Sequence, residues 1–328
     1  MEEVTITGIK LKASRIGLGT WAIGGWMWGG TDEKESIRTI HAALDHGINL
    51  IDTAPIYGFG LSEEIVGKAI EEYGNREKII IATKVGLEWN DGQVSRNSRK
   101  ERIFKEIQDS LRRLRTDVID IYQVHWPDSL VPIEETAEAM NKLYREGTIR
   151  AIGVSNYSPA QMDVFRQISP LHTVQPPYNL FERQAEKDVL PYAKKHSIIT
   201  VTYGALCRGL LTGRMKPDTE FTGDDLRKVD PKFQKLRYSQ YLEAVAQLEQ
   251  FARTRFNKSV LSLAVRWLLD QSGVNVALWG ARKPEQLASV EEVMGWALDY
   301  EAFQHIESIV ENTIQDSIGA EFMAPPAQ

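Results

Sequence analysis

Eight short, mostly apolar runs, each followed by an amphipathic stretch, predict a closed (β/α)8 TIM barrel for this 328-residue chain. Two further observations favour closure over an open, doubly wound sheet. No break in composition interrupts the alternation, so residues 1–328 read as one α/β domain. No G-x-G-x-x-G opens a helix after any of the runs, so the signature of an open dinucleotide-binding sheet is missing.

The elements follow in order. Residues 4–6 and 10–11, around Thr7-Gly8, predict a β-hairpin ahead of the main pattern. The first buried strand, 14–21, runs into a loop whose glycines flank Trp26 and Trp28. A helix over 32–46 follows from the spacing of Ile37, Ile40, Ala43 and Leu44 and the Gly47 stop. The series continues with strand 48–52, helix 62–73, strand 79–84, helix 99–114, strand 119–125 and helix 132–146. Strand 149–155, helix 159–168, strand 173–178, helix 182–196 and strand 198–203 come next. Strand 275–279 is last, beyond an insertion over 204–274. The insertion's first part is polar and loop-like, and its second part carries helical patterns over 239–255 and 259–270. The tail, 319–328, has no periodicity and contains Pro325-Pro326; it is either disordered or folded back over the barrel mouth.

Composition narrows the function classes. With 42% hydrophobic and 26% charged residues the chain has the make-up of a soluble globular protein. A formal charge of −6 argues against a nucleic-acid or anionic-membrane partner, each of which favours a basic face. No apolar run approaches the ~20 residues that span a bilayer. The first residues, Met1-Glu2-Glu3-Val4, are acidic where a signal peptide is basic. Cys207 is the only cysteine, which suits a reducing cytoplasm. No His, Cys or Asp spacing matches a metal site, so no metal is expected. The expected partner is a small molecule.

In such a barrel, residues at the C-terminal strand ends face the active site. Asp52, Lys84 and His125 end the second, third and fourth strands, and Tyr57 lies on the loop after the second. Neighbouring strands lie only ~5 Å apart, so these side chains can converge. A phenol is a poor acid at neutral pH, and an adjacent Lys84 ammonium is expected to lower its pKa. Asp52 holds that ammonium charged, and a neutral His125 orients a carbonyl oxygen toward Tyr57. The set suits protonation of a carbonyl oxygen while another group attacks its carbon. The remaining histidines, His41, His46, His172, His196 and His305, read as structural or surface residues.

At these residues the chain resembles the aldo-keto reductases. The resemblance rests on Gly17-Leu18-Gly19-Thr20-Trp21, Asp52-Thr53-Ala54-x-x-Tyr57-Gly58, Thr83-Lys84, His125-Trp126 and Gly153-Val154-Ser155-Asn156. Gln175-Pro176-Pro177-Tyr178-Asn179-Leu180 and Gly280-Ala281-Arg282 complete it, in family order over nearly the whole chain. It is most similar to bacterial members of the general-stress-protein type. The resemblance implies a (β/α)8 barrel with a nicotinamide cofactor extended across its C-terminal face. It also implies a tetrad of Asp52, Tyr57, Lys84 and His125, with Tyr57 as proton donor while hydride passes to an aldehyde or ketone carbon.

Beside that inference, Ser155, Asn156 and Gln175 offer hydroxyl and amide groups suited to a nicotinamide carboxamide. Tyr203 resembles the ring that stacks on the nicotinamide. Arg208, in the loop Gly204-Ala205-Leu206-Cys207-Arg208-Gly209-Leu210, fits a pyrophosphate contact, since barrels often bind phosphate after strands seven and eight. The family more often has Ser-Pro where this chain has Gly204-Ala205, which shifts binding toward backbone amides. Arg282 and Lys283 precede a helix begun by Pro284, a place suited to an extra phosphate and hence to NADPH over NADH. Gln286 matches a family position by spacing, whereas Ser289 and Val290 replace the Glu and Asn of many relatives near the adenine. Thr20, Trp21, Asp52, Arg214, Gly280 and Ala281 complete the cofactor-binding set that the resemblance implies.

Trp21, Trp26, Trp28, Phe59, Trp89, Trp126 and Tyr178 predict an aromatic-lined substrate cavity, and the glycines around Trp26 and Trp28 fit a mobile lid. Two other readings stand beside the reductase. One is a cofactor-binding regulatory subunit, like the potassium-channel β subunits of the same superfamily. The other is an aldolase or isomerase using Lys84 as a Schiff-base amine, which leaves Tyr203 and Arg282 unexplained.

Overall fold

The computed structural model describes residues 1–326. An antiparallel pair, β1 (Glu3–Val4) and β2 (Ala13–Ser14), precedes the first barrel strand, β3 (Ile16–Gly19). Its pairing joins Glu3 to Ser14 and Val4 to Ala13, not Val4–Ile6 to Lys10-Leu11 as the turn residues predict. The reason lies in burial: Ile6 and Ile9 are almost wholly covered under the barrel floor, which opens the hairpin tip into a loop.

The alternation then proceeds as expected through α1 (Glu33–Asp45), β4 (Leu50–Asp52), α2 (Leu61–Tyr73) and β5 (Ile80–Val85). Asp32 starts α1 by accepting the Glu35 amide at 2.9 Å. A second hairpin, β6 (Leu87–Asn90) and β7 (Gln93–Arg96), interrupts the series. Asp91-Gly92 turns it with both residues in the left-handed region, a sequence signal that the strand–helix pattern overshadowed. Next come α3 (Lys100–Leu114), β8 (Ile119–Val124), α4 (Ile133–Arg145), β9 (Ile149–Ser155), α5 (Pro159–Ile168) and β10 (Thr173–Gln175).

The helix predicted over 182–196 is broken into a 3-10 turn, Gln184–Glu186, and α6 (Val189–Lys195). Asn179 folds its Oδ1 onto the amides of Phe181 and Glu182, and Asp188 accepts from Val189 N, so two local caps replace a continuous helix. The chain continues with β11 (Ile199–Thr202), α7 (Lys235–Phe256), α8 (Val260–Asp270), β12 (Val276–Gly280) and α9 (Tyr300–Thr313). α9 lies outside the predicted series, although Asp299 caps it and Ala302, Ile306 and Ile309 form its buried face. The eight parallel strands close in the order β10-β11-β12-β3-β4-β5-β8-β9. None of the helices described is long and apolar enough to cross a membrane.

Strand side chains alternate between the barrel interior and the helical layer. Leu50, Ile80, Ala82, Ile121, Ala151, Val201, Val276 and Leu278 share one buried cluster with Ile6, Ile9 and Ala13, which places them inside the barrel. Two residues further along, the same inward rows reach Asp52, Lys84, Gln123, Tyr203 and Gly280. The interior is thus apolar below and polar at its C-terminal rim.

Candidate active site

Parity explains the convergence at the rim. Lys84 continues the inward row of Ile80 and Ala82, and its side chain is fully buried. Its ammonium donates to Asp52 Oδ1 at 2.6 Å, Thr53 O at 2.9 Å and Tyr57 Oη at 3.3 Å. An ammonium has three donors, and all three are used. Asp52, 2% exposed, receives further bonds at Oδ2 from the amides of Gln175 at 2.9 Å and Gln123 at 3.2 Å.

Tyr57 depends on a close passage of backbone. Gly58 has φ +66°, and a Cβ there would lie 2.1 Å from Gly24 O. A Cβ on Gly24 would in turn lie 2.5 Å from the Tyr57 carbonyl carbon. Only paired glycines let these loops cross, and the crossing fixes the Tyr57 backbone. The phenol ring stacks on Trp21, with centroids 5.9 Å apart and planes at 22°. The His125 ring meets it edge-on at 5.9 Å.

Burial, assisted by the Asp52 charge, pushes the Tyr57 phenol well above its ordinary pKa. The lowering expected from Lys84 is therefore not what the folded site produces, because desolvation of a phenolate outweighs a neighbour whose charge Asp52 already balances. Burial also lowers the Lys84 amine, opposed by the charges of Asp52 and Glu63. Burial and the Lys84 charge hold His125 well below the usual imidazole value, so its ring is neutral near pH 7. The arrangement presents a protonated phenol and a neutral imidazole to one cavity, with an ammonium behind the phenol oxygen. It can give a proton to a bound oxygen and stabilise the phenolate left behind.

Two cavities meet at Tyr57. One, of about 290 Å³, has a wall of Trp26, Met27, Ile56, Leu87, Val94 and Trp126 above His125, Ser155, Asn156 and Gln175. The other, of about 310 Å³, is a groove along Gly204–Leu206, Arg208, Gly280, Ala281, Arg282 and Gln286. Trp21, Tyr57, Tyr203 and Met323 line both, so the two join across the site. The pattern of the Aldo/keto reductase family matches residues 15–311. The chain belongs to that family. It is 63% identical to Aldo-keto reductase YhdN of Bacillus subtilis (strain 168) over 328 residues, covering 100% of this chain and 99% of the relative. It is 38% identical to the NADH-specific methylglyoxal reductase of Escherichia coli (strain K12), covering 88% and 91% of the two chains. The solved glycerol dehydrogenase AKR11B4 from Gluconobacter oxydans superposes with a TM-score of 0.89 at 55% identity, covering 98% and 99% of the chains.

As an aldo/keto reductase the chain is an oxidoreductase that uses a nicotinamide cofactor and acts on small carbonyl compounds. The joined cavities fit an extended dinucleotide. The Arg282 guanidinium lines the groove and its charge reaches Asp225, and the buried Trp28 indole N–H in the groove wall meets no protein acceptor among the described residues. Beside Tyr57, Tyr203 donates to Asn156 Oδ1 at 3.0 Å, and Asn156 in turn donates to His125 O at 3.0 Å. Ser155 donates to Gln175 O at 2.8 Å. Thr20 lies buried in the groove and donates to Asp52 O at 2.9 Å.

Three residues of the expected cofactor set sit differently. Arg208 is buried and bonded to Asp230 and Glu182, while Lys232 pairs with Glu182 at 2.8 Å, so its guanidinium is already neutralised. Cys207 is wholly buried and outside the groove lining, although its neighbours line it. Arg214 is exposed beyond both cavities. The glycine loop carrying Trp26 and Trp28 is anchored: Asp224 accepts from Met27 N at 2.7 Å and Gly29 N at 3.0 Å, and Arg282 donates to Trp28 O and Gly30 O. The tail crosses the mouth, where Phe322, Met323, Pro325 and Pro326 line the first cavity and Arg96 Nε donates to Pro325 O at 2.9 Å.

The depressed His125 pKa has a stability consequence. The unfolded imidazole takes up its proton first as pH falls, so the contribution is complete above about pH 6.5 and is lost below it. His125→Asn is expected to flatten the fall in unfolding free energy between about pH 7.5 and 5.5. Parallel urea-unfolding curves for variant and parent across that range would show that His125 titrates alike in both states.

Proposed function

We propose that the protein is an NADPH-dependent reductase of aldehydes or ketones in which Tyr57 donates the proton. The observation that carries this is the Lys84 ammonium, with all three donors placed on Asp52, Thr53 and the Tyr57 oxygen. The bound nicotinamide supplies the hydride. Ser155, Asn156 and Gln175 would hold its carboxamide, with Tyr203 beside the ring. Neutral His125 donates to the substrate oxygen and directs it to the phenol. As the phenol releases its proton, the Lys84 ammonium meets the charge that develops on its oxygen. The Trp26, Leu87 and Trp126 walls accept an apolar group on the carbonyl carbon and exclude water.

The test follows reduced-nicotinamide absorbance with a panel of small aldehydes. Turnover of several aldehydes supports the reading. Tight cofactor binding without turnover would favour the regulatory-subunit alternative, which the complete tetrad disfavours. The single buried cysteine fits a cytoplasmic setting.

Arg282 carries the cofactor choice, since its guanidinium lines the groove and offers a charge there to an extra phosphate. Arg282→Ala is expected to weaken NADPH binding by roughly 10- to 100-fold, the loss of a charge-assisted bond, with a much smaller change for NADH. Quenching of tryptophan fluorescence by each cofactor measures both affinities. An equal loss for the two would place the 2′-phosphate elsewhere.

A further inference from the structure

The Asp52–Lys84–Tyr57 chain is held from below by a residue outside the tetrad. Gln123 lies on β8 directly beside Lys84 in the strand register and is completely buried. Its inward position leaves no water to satisfy the amide, so the groups it touches must do so. The Nε2 group donates to Asp52 Oδ2 at 3.2 Å, and Oε1 lies 3.5 Å from Gln175 Nε2. Gln175 also donates to Asp52 Oδ2, at 2.9 Å. One carboxylate oxygen thus faces the ammonium while the other is fixed by two neutral amides.

The space for this side chain is built. A Cβ on Gly153, the β9 neighbour of Gln123, would lie 2.7 Å from Gln123 Cγ. That Cβ would also lie 2.2 Å from Thr173 Oγ1, so glycine at 153 leaves room for both side chains.

We propose that Gln123 is a positioning residue for the reduction: it fixes Asp52 so that Oδ1 holds the Lys84 ammonium against the Tyr57 oxygen. Without it the carboxylate has one fewer donor and can rotate toward Gln175, drawing the ammonium off the phenol. Gln123 does not touch substrate, and only its neighbour Gln175 lines the cavity. The consequence falls on the proton-transfer step and not on binding. This inference rests on the reading of Tyr57 as proton donor.

Gln123→Met keeps length and volume and removes the amide. It is expected to lower kcat by roughly 10- to 100-fold, as for loss of one buried bond to a charged group, with KM and cofactor affinity unchanged. The alkaline limb of the kcat–pH profile should move with it. Gln123→Glu supplies a second, independent readout. Its carboxyl can donate to Asp52 only while protonated, so its turnover should approach the parent's at the acid end and fall as pH rises. Tyr57→Phe is measured in parallel. If Tyr57→Phe is inactive while Gln123→Met keeps the parent's kcat and pH profile, Gln123 is packing only and the proposal is overturned. A Gln123→Glu profile parallel to the parent's overturns it too, even where Gln123→Met fails to fold. Retained turnover in Tyr57→Phe overturns the proton-donor reading and this inference together.

Discussion

Tyr57→Phe is expected to lower carbonyl reduction by roughly 10²- to 10⁴-fold, the usual contribution of a positioned general acid. Cofactor affinity should stay close to the parent's. The reason is that the change is confined to one oxygen. The ring keeps its stack on Trp21 and its edge contact with His125, so the wall between the two cavities is preserved. What disappears is the acceptor for the third Lys84 donor and the proton poised for the carbonyl oxygen. Because the phenol's pKa is raised, the parent should hold its donor proton to strongly alkaline pH, and the loss in the variant should be similar across the neutral range. Single-turnover measurements with bound cofactor isolate this step. Residual turnover equal to the parent's would remove Tyr57 as the acid.

The second large effect is on stability. Glu182→Ala is expected to cost about 3–5 kcal/mol, the loss that follows when one partner of a buried ion pair is removed. Glu182 accepts from Arg208 and Lys232 and from Asn179 Nδ2 at 2.7 Å, and all four residues are buried. In the variant Arg208 and Lys232 share Asp230 alone. Both cations also lie 5.5 Å from the centre of the Phe322 ring, so the tail should loosen with them. Burial by itself would raise the Glu182 carboxyl, and the two cations outweigh it, holding the group below its usual value. The contribution is therefore complete above about pH 4.3 and lost as pH falls through the lower folded value. Urea unfolding at neutral pH measures the cost. A midpoint equal to the parent's would mean that the cluster is neutral to stability.

The barrel was legible because its signal is local. Short apolar runs and helical spacing repeat along the chain, and the strand ends fall where Asp52, Lys84 and His125 stand. Gln123 was legible by the same arithmetic, since it shares the inward row of Ile121, but attention to strand ends passes over a residue two positions earlier. Arg208 shows a different limit. A lone arginine in a glycine loop matches a phosphate ligand, and nothing nearby in sequence shows that Glu182 and Asp230 arrive from other segments to neutralise it. The tail is similar: without periodicity, its course is set by distant partners such as Arg96 and Arg208. The direction of the Tyr57 shift also escaped, because sequence names the charged neighbours of a phenol but not its desolvation.

Cys207 bears on how this protein can be studied. Its thiol is fully buried, with a left-handed backbone at φ +45°. Burial, ahead of nearby charges, pushes its pKa up to about 12, so almost no thiolate exists at neutral pH. The native chain should stay silent toward thiol-directed dyes until it unfolds. A cysteine placed on an exposed position, such as Leu236 at 85% exposure, would then carry a single fluorophore without removal of the native residue. The same silence makes dye uptake at Cys207 a clock for opening of the loop that carries Leu206 and Arg208 into the groove wall.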